Sequence, residues 1–204
     1  MQKETILMVS GCGPKVGKDE FSNICADLID VNYPDWIQMR GAFASELKVE
    51  CELKYSIDKE RALTDPIYKE SIRKYYIQHG NDGRMEDLYM WPKKLDANWP
   101  GIKEPYKDRR VIKIISDCRY LNEVDHYKYY YKPAGLVIVV YITISEEIII
   151  ARFGMDYWAK WKLTQSDRSE REMQHYPHDF VISNNYSVKY LRRCAESILQ
   201  EILK

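Results

Sequence analysis

Residues 6–29 constrain this chain more than any other stretch. Ile6–Val9 is an apolar run, and it leads directly into Ser10-Gly11-Cys12-Gly13-Pro14-Lys15-Val16-Gly17-Lys18-Asp19. Behind that loop Phe21, Ile24, Cys25, Leu28 and Ile29 recur at helical spacing. A strand, a glycine-rich turn ending in Gly-Lys and a helix together make a cradle for phosphate. The glycines let backbone N–H groups converge on an anion, the lysine adds a mobile positive charge, and the helix aims its positive end at the same spot. A glycine-rich turn that merely carries a surface lysine is the plain alternative, and the strand–helix frame weighs against it.

The loop departs from the P-loop template in two places. The template puts four residues between its first glycine and Gly-Lys, which here would make Cys12 the first glycine, with Gly11 and Gly13 on either side. Gly11 fits the usual role, with one residue inserted within Cys12–Pro14. The template also ends in Ser or Thr, whose hydroxyl sits on magnesium, and here Asp19 holds that position. A carboxylate can hold magnesium directly or through a water.

The chain has 204 residues, enough for one α/β domain with a full core. Lys+Arg and Asp+Glu both count 31. That balance disfavours a DNA-coating role, which normally leaves a basic excess, while a local basic groove stays open. No run is apolar enough to span a bilayer, and the N-terminus lacks the regions of a signal peptide, so a soluble, cytoplasmic protein is expected. Five cysteines at 12, 25, 51, 118 and 194 have no C-x-x-C spacing and read as free thiols. His175 and His178 lack further ligands at zinc spacing and read as loop or lid histidines. The Tyr127 and Tyr129–Tyr131 patch reads as an amphipathic helix end.

Apolar runs predict strands at Ile6–Val9, Trp36–Arg40, Val111–Ser116, Leu136–Ile144 and Phe180–Ile182. Helical patterns fall at 19–30, 43–53, 66–79, 121–131, 145–153 and 187–203. Strands alternating with helices imply a doubly wound α/β fold, a parallel sheet of about five strands with helices on both faces. Residues 92–110 show no periodicity and read as a surface excursion within a single domain spanning 1–204. Ligands in such sheets bind at the carboxyl ends of strands, where the glycine loop and Asp117-Cys118-Arg119 both fall.

Six patterns follow one another along the chain: Ser10-Gly11 to Gly17-Lys18-Asp19; Phe43-Ala44-Ser45-Glu46-Leu47-Lys48; Ile72-Arg73-Lys74 with Ile77-Gln78-His79-Gly80-Asn81-Asp82-Gly83-Arg84 and Trp91 beyond; Ile115-Ser116-Asp117-Cys118-Arg119-Tyr120-Leu121-Asn122-Glu123; Asp167-Arg168-Ser169-Glu170; and Ile182-Ser183-Asn184-Asn185. Taken together they resemble the phage-type deoxynucleoside monophosphate kinases, P-loop kinases whose Gly-Lys-Asp loop is also seen in animal phosphomevalonate kinases. The resemblance runs from about residue 5 to 200. Asn81 stands where that family has Thr, and the segment between Arg84 and Trp91 is short.

The resemblance implies a three-layer P-loop kinase fold with a substrate-binding region at about 40–110 and a lid at about 152–172. It implies an ATP site made by Gly11, Gly13, Lys15, Val16, Gly17, Lys18, Asp19 and Glu20, with Asn184 near the adenine. Lys18 would bridge the β- and γ-phosphates and neutralise charge as the phosphoryl group moves. Asp19 and Asp117 are the magnesium candidates, through waters. A monophosphate acceptor calls for fork-shaped cations, and Arg119, Arg84 and Arg73 are the candidates in that order. Phe43, Lys48, Gln78, Asp82 and Trp91 complete the acceptor set. Arg152 and Arg168, flanking the Trp-rich stretch 153–165, would be lid arginines that close on the transferring group and shut out water. Bland roles stand beside these: a solvated lysine for Lys15 and Lys48, a core residue for Phe43, a turn carboxylate for Asp117 and surface arginines for the rest.

The expected activity is ATP- and magnesium-dependent phosphorylation of a deoxynucleoside monophosphate to the diphosphate, by direct in-line transfer. The competitors are a phage kinase acting on a hydroxymethylpyrimidine within DNA, served by the Lys- and aromatic-rich 89–110, and a non-catalytic nucleotide-binding protein. Relatives of this type are often dimeric, which leaves a homodimer open, and no membrane partner is expected.

Overall fold

A parallel five-stranded sheet organises the larger part of the chain. The computed structural model describes residues 4–99, 109–131 and 134–204. Its strands are β1 (Glu4–Gly11), β2 (Trp36–Gly41), β3 (Arg110–Ile115), β4 (Ala134–Thr143) and β5 (Phe180–Ser183). They lie in the order β2-β3-β1-β4-β5, so the first strand made is the central one. Leu7 registers with Ile114 on one side and Ile138 on the other, and Ile142 registers with Ile182.

Alternation along these strands makes two buried faces. Leu7, Val9, Ile112, Ile114, Ile138, Val140 and Ile142 join a core with Phe21, Ile24, Leu28, Leu191 and Ile198. The last five come from helices α1 (Lys18–Asn32) and α10 (Val188–Ile202), which pack against each other. Ile6, Met8, Val139 and Tyr141 are buried on the opposite face. There β4 meets the turn His126–Tyr130, and β1 meets the 3₁₀ turn Glu172–His175. The α/β class and helices on both faces are as expected.

Two compact units emerge, residues 1–40 with 101–204, and residues 41–100. The second is helical: α2 (Phe43–Tyr55), α3 (Lys59–Thr64), α4 (Pro66–Glu86) and α5 (Met90–Asn98). Asp65 caps α4, accepting from the N–H groups of Ile67 and Tyr68, with Pro66 at the first helical position, where its missing donor costs nothing. Cys51, Ile57 and Ile72 form a small core with Tyr55, Tyr68 and Tyr76 around it.

The remaining helices are α6 (Leu121–Asp125), α7 (Glu146–Phe153), α8 (Met155–Thr164) and α9 (Arg168–Arg171). Two sequence expectations need correction. The regular helix expected over 121–131 is α-helical only to Asp125. His126–Tyr130 is a π-helical turn, closed by the Tyr131 N–H donating to the His126 carbonyl at 2.8 Å. The excursion expected over 92–110 is helix α5 through Asn98: Trp91 and Leu95, four apart, bury one face, and Pro92 sits where the first turn tolerates it. Residues 100–108 of that stretch lie outside the described residues, as does Pro133.

Candidate functional site

The loop Cys12–Gly17 joins β1 to α1 at the carboxyl end of the central strand. Gly17 holds φ 104°, a left-handed conformation that L side chains rarely adopt, and its carbonyl accepts the first helical hydrogen bond from Phe21 N–H at 2.9 Å. Lys15 is also left-handed, at φ 59°. Such backbone in a loop ahead of a helix N-terminus is the arrangement that turns N–H groups inward on an anion. The Lys18 ammonium folds back and donates to the Gly13 carbonyl at 2.7 Å.

Neighbouring strands hold this loop in place. Cys12 N–H donates to the Ile142 carbonyl at 3.0 Å, and Cys118 N–H donates to the Val9 carbonyl at 3.1 Å. The second bond ties the Asp117-Cys118-Arg119 turn beside the loop. Asn184 is buried, donates through Nδ2 to the Val16 carbonyl at 2.8 Å, and packs against Gly17. Its backbone N–H donates to the Thr143 carbonyl at 2.7 Å. The observed contacts of Asn184 are thus with the loop itself, as a strut behind it.

Arg119 Nη1 pairs with Glu170 Oε1 at 2.6 Å, and Glu170 is only 5% exposed. The Glu123 carboxylate accepts from the backbone N–H groups of Arg119 (2.7 Å) and Tyr120 (3.1 Å), which fixes the turn from which Arg119 projects. Burial and then the Arg119 charge push the Lys18 ammonium below its ordinary pKa, with Glu170 and Asp19 opposing them. Lys18, Arg119, Glu170 and Asp19 therefore share one electrostatic neighbourhood. Glu170 closes the Asp167-Arg168-Ser169-Glu170 pattern, and nothing in the sequence assigns it a role. Its partner is 51 residues away, and no local pattern carries such a pairing.

Helices α7 and α8 bring an aromatic surface onto the loop. The Lys15 ammonium lies 4.6 Å from the Tyr157 ring centre and 5.3 Å from that of Phe153. Tyr157 Oη donates to the Pro14 carbonyl at 3.4 Å. Trp161 covers Gly13 so closely that a Cβ there would stand 2.8 Å from Trp161 Cε2. None of these aromatic contacts was anticipated, although the Trp-rich stretch that supplies them was. The two expected lid arginines are engaged elsewhere: Arg152 donates to the Tyr186 carbonyl at 2.6 Å, and Arg168 pairs with Glu172 and lies over the Tyr120 ring.

The donor set fits magnesium as that ion is usually held, by one or two carboxylates with waters and substrate phosphates. Asp19 and Glu20 are exposed in the first turn of α1, and Asp117 is half-buried after β3. Among the described residues no group of three or more His, Cys, Asp or Glu gathers as an all-protein metal site.

Within residues 41–100, Gln78 donates to Asp82 at 2.6 Å and Arg84 to Asn81 at 3.0 Å, each pair on one face of α4. Arg73 and Lys48 are exposed, and Phe43 is buried at the start of α2. Trp91, 1% exposed, donates to the Gly80 carbonyl at 3.1 Å with His79 against its ring, so it is core of this unit.

No protein-family model matches the sequence, and no curated protein does. Solved structures do resemble it. The crystal structure of APE1195 matches 100% of this chain and 99% of its own, at 12% identity and a TM-score of 0.52. At that identity the likeness speaks for the fold alone. The dephospho-CoA kinase from Campylobacter jejuni matches 98% of this chain and 97% of its own, at 14% identity and a TM-score of 0.43, too loose a likeness to argue from.

Proposed function

We propose that this chain is a P-loop phosphotransferase that uses ATP and magnesium to phosphorylate a deoxynucleoside monophosphate. The observation that carries the reading is the loop itself. A left-handed Gly17 opens α1, and the half-buried Lys18 ammonium donates to the Gly13 carbonyl inside the loop. A phosphate arriving there exchanges one carbonyl contact for backbone N–H groups, a helix N-terminus and a full positive charge. Arg119, projecting from the adjacent strand end, is the acceptor-phosphate candidate, with Glu170 holding it in the free protein. Arg152 and Arg168 remain the lid candidates. Phe43, Lys48, Arg73, Gln78, Asp82 and Arg84 remain the acceptor candidates. Asp19 and Asp117 would hold magnesium, which supplies charge neutralisation at the phosphates.

A hydroxymethylpyrimidine within DNA is a second acceptor, and Glu170 favours it. A phosphate acceptor needs no base, whereas an alcohol must lose a proton, and the buried Glu170 carboxylate, once released from Arg119, is the base candidate for that reading. A coupled ADP-release assay with magnesium separates the readings. The substrates are dTMP, dGMP, dCMP, dAMP, 5-hydroxymethyl-dCMP, 5-hydroxymethyl-dUMP and a hydroxymethyluracil oligonucleotide. Turnover with a monophosphate establishes the first, and turnover with the oligonucleotide alone moves the protein to the second. ATP binding without turnover on any acceptor leaves a nucleotide-binding protein.

A further inference from the structure

Trp161 sits in α8 with 8% of its surface exposed, and its indole N–H has no hydrogen-bond partner among the described residues. The amide nitrogen of Gln165, one turn later, is also buried and unpartnered. Both nitrogens lie against one spot. A Cβ built on Gly13 meets Trp161 Nε1 first, then Trp161 Cε2, then Gln165 Nε2 at 3.0 Å. Buried donors without acceptors are rare because each forfeits its hydration, so two adjacent ones call for an explanation. Here they converge on a glycine of the loop, beside the carbonyl that Lys18 now occupies. Oxyanions are the acceptors that such a loop collects.

We infer that Trp161 and Gln165 are phosphate-binding residues of the lid, and that their side-chain N–H groups donate to the polyphosphate oxygens of the nucleotide held at Gly13. This rests on the phosphotransferase reading above and adds a lid contribution made by neutral donors rather than arginines. Neutral donors add no charge to a neighbourhood that already holds Lys18, Lys15 and Arg119. They also explain why a glycine stands at position 13: any side chain there would collide with the ring that must come this close.

The test is an indole N–H spectrum of the full-length protein, with the five tryptophan resonances assigned through the sequence. Titration with ATP, and separately with inorganic tripolyphosphate and adenosine, is expected to move the Trp161 proton downfield with the two phosphates and not with adenosine. Trp161→Phe and Gln165→Leu should each weaken ATP binding about tenfold, the loss of a hydrogen bond to a charged acceptor. A Trp161 resonance that ignores saturating ATP overturns the inference. So does one that answers only to adenosine, or a pair of variants that bind ATP within about twofold of the wild type. Lys18→Ala separates the two levels. If it abolishes ATP binding while Trp161 stays silent in the wild type, the loop reading stands and only the lid donors fall. A wild type that binds neither ATP nor tripolyphosphate removes both.

Discussion

Lys18 is pulled in two directions, and the conflict has a measurable consequence. Burial and Arg119 disfavour its charged form, so its folded pKa lies below the ordinary 10.5. Between the folded and unfolded values the unfolded chain binds more protons, so this residue's contribution to stability rises with pH there. Phosphate binding works the other way, because an anion restores the charged form. ATP affinity should therefore decline as pH climbs toward the alkaline range, beginning below the usual lysine value. Calorimetry in buffers of different ionisation enthalpy should show proton uptake on binding. Affinity that stays flat to about pH 10 would count against Lys18 as the phosphate partner. Lys18→Ala should lower turnover by about two to three orders of magnitude with little change in melting temperature. Turnover near wild type in a folded variant would sink the loop assignment. The residue was legible in sequence because its cue is local: Gly-Lys between an apolar run and a helical one. Asn184 as a strut was not, since its partner Val16 lies 168 positions away.

Among the elements, the helices of residues 41–100 depend on a few large side chains. Trp91 is enclosed by its Gly80 hydrogen bond, His79 and the Lys94 ammonium 4.9 Å from its ring centre. Trp91→Ala should cost about 3–5 kcal/mol, read by denaturant unfolding. A loss below about 1 kcal/mol would mean the site collapses around the gap. Beside it Glu50 is held by Lys94 and by His79 at 3.4 Å. Burial acts to raise its pKa, and these partners outweigh burial and lower it. A depressed carboxylate contributes stability above the unfolded value, about 4.3, and loses it as pH falls through the folded one. Glu50→Gln should flatten that acid limb. The elements read well from sequence were those with a clean pattern: all five strands, α1, α2, α7 and α10. Helix α5 was missed because Pro92, Lys93 and Lys94 hide an i, i+4 pair of buried residues. Helix α8 was missed because its apolar side is spent on aromatic rings over a loop rather than on a regular core stripe.

Over the whole molecule, 31 basic and 31 acidic residues leave no net charge. Non-specific duplex binding draws on counterion release, which scales with phosphates neutralised. The chain should therefore fail to retain random-sequence duplex at about 0.15 M salt in a filter or mobility assay. Retention with a steep salt slope would reveal a local basic groove and favour the polynucleotide acceptor.

The strand order carries a consequence in time. β1 lies at the centre of the sheet, yet its partners β3 and β4 begin at Arg110 and Ala134. As the chain leaves the ribosome, its most apolar early strand has no neighbour until more than half the polypeptide has been made. The helices of residues 41–100 draw on near contacts and can form meanwhile, whereas β1 must wait for distant ones. Residues 12–17 hang between β1 and α1 and are braced by Ile142 and Asn184. The phosphate loop is thus among the first parts synthesised and among the last to take shape, and until then Ile6–Val9 is a segment for a chaperone to shield.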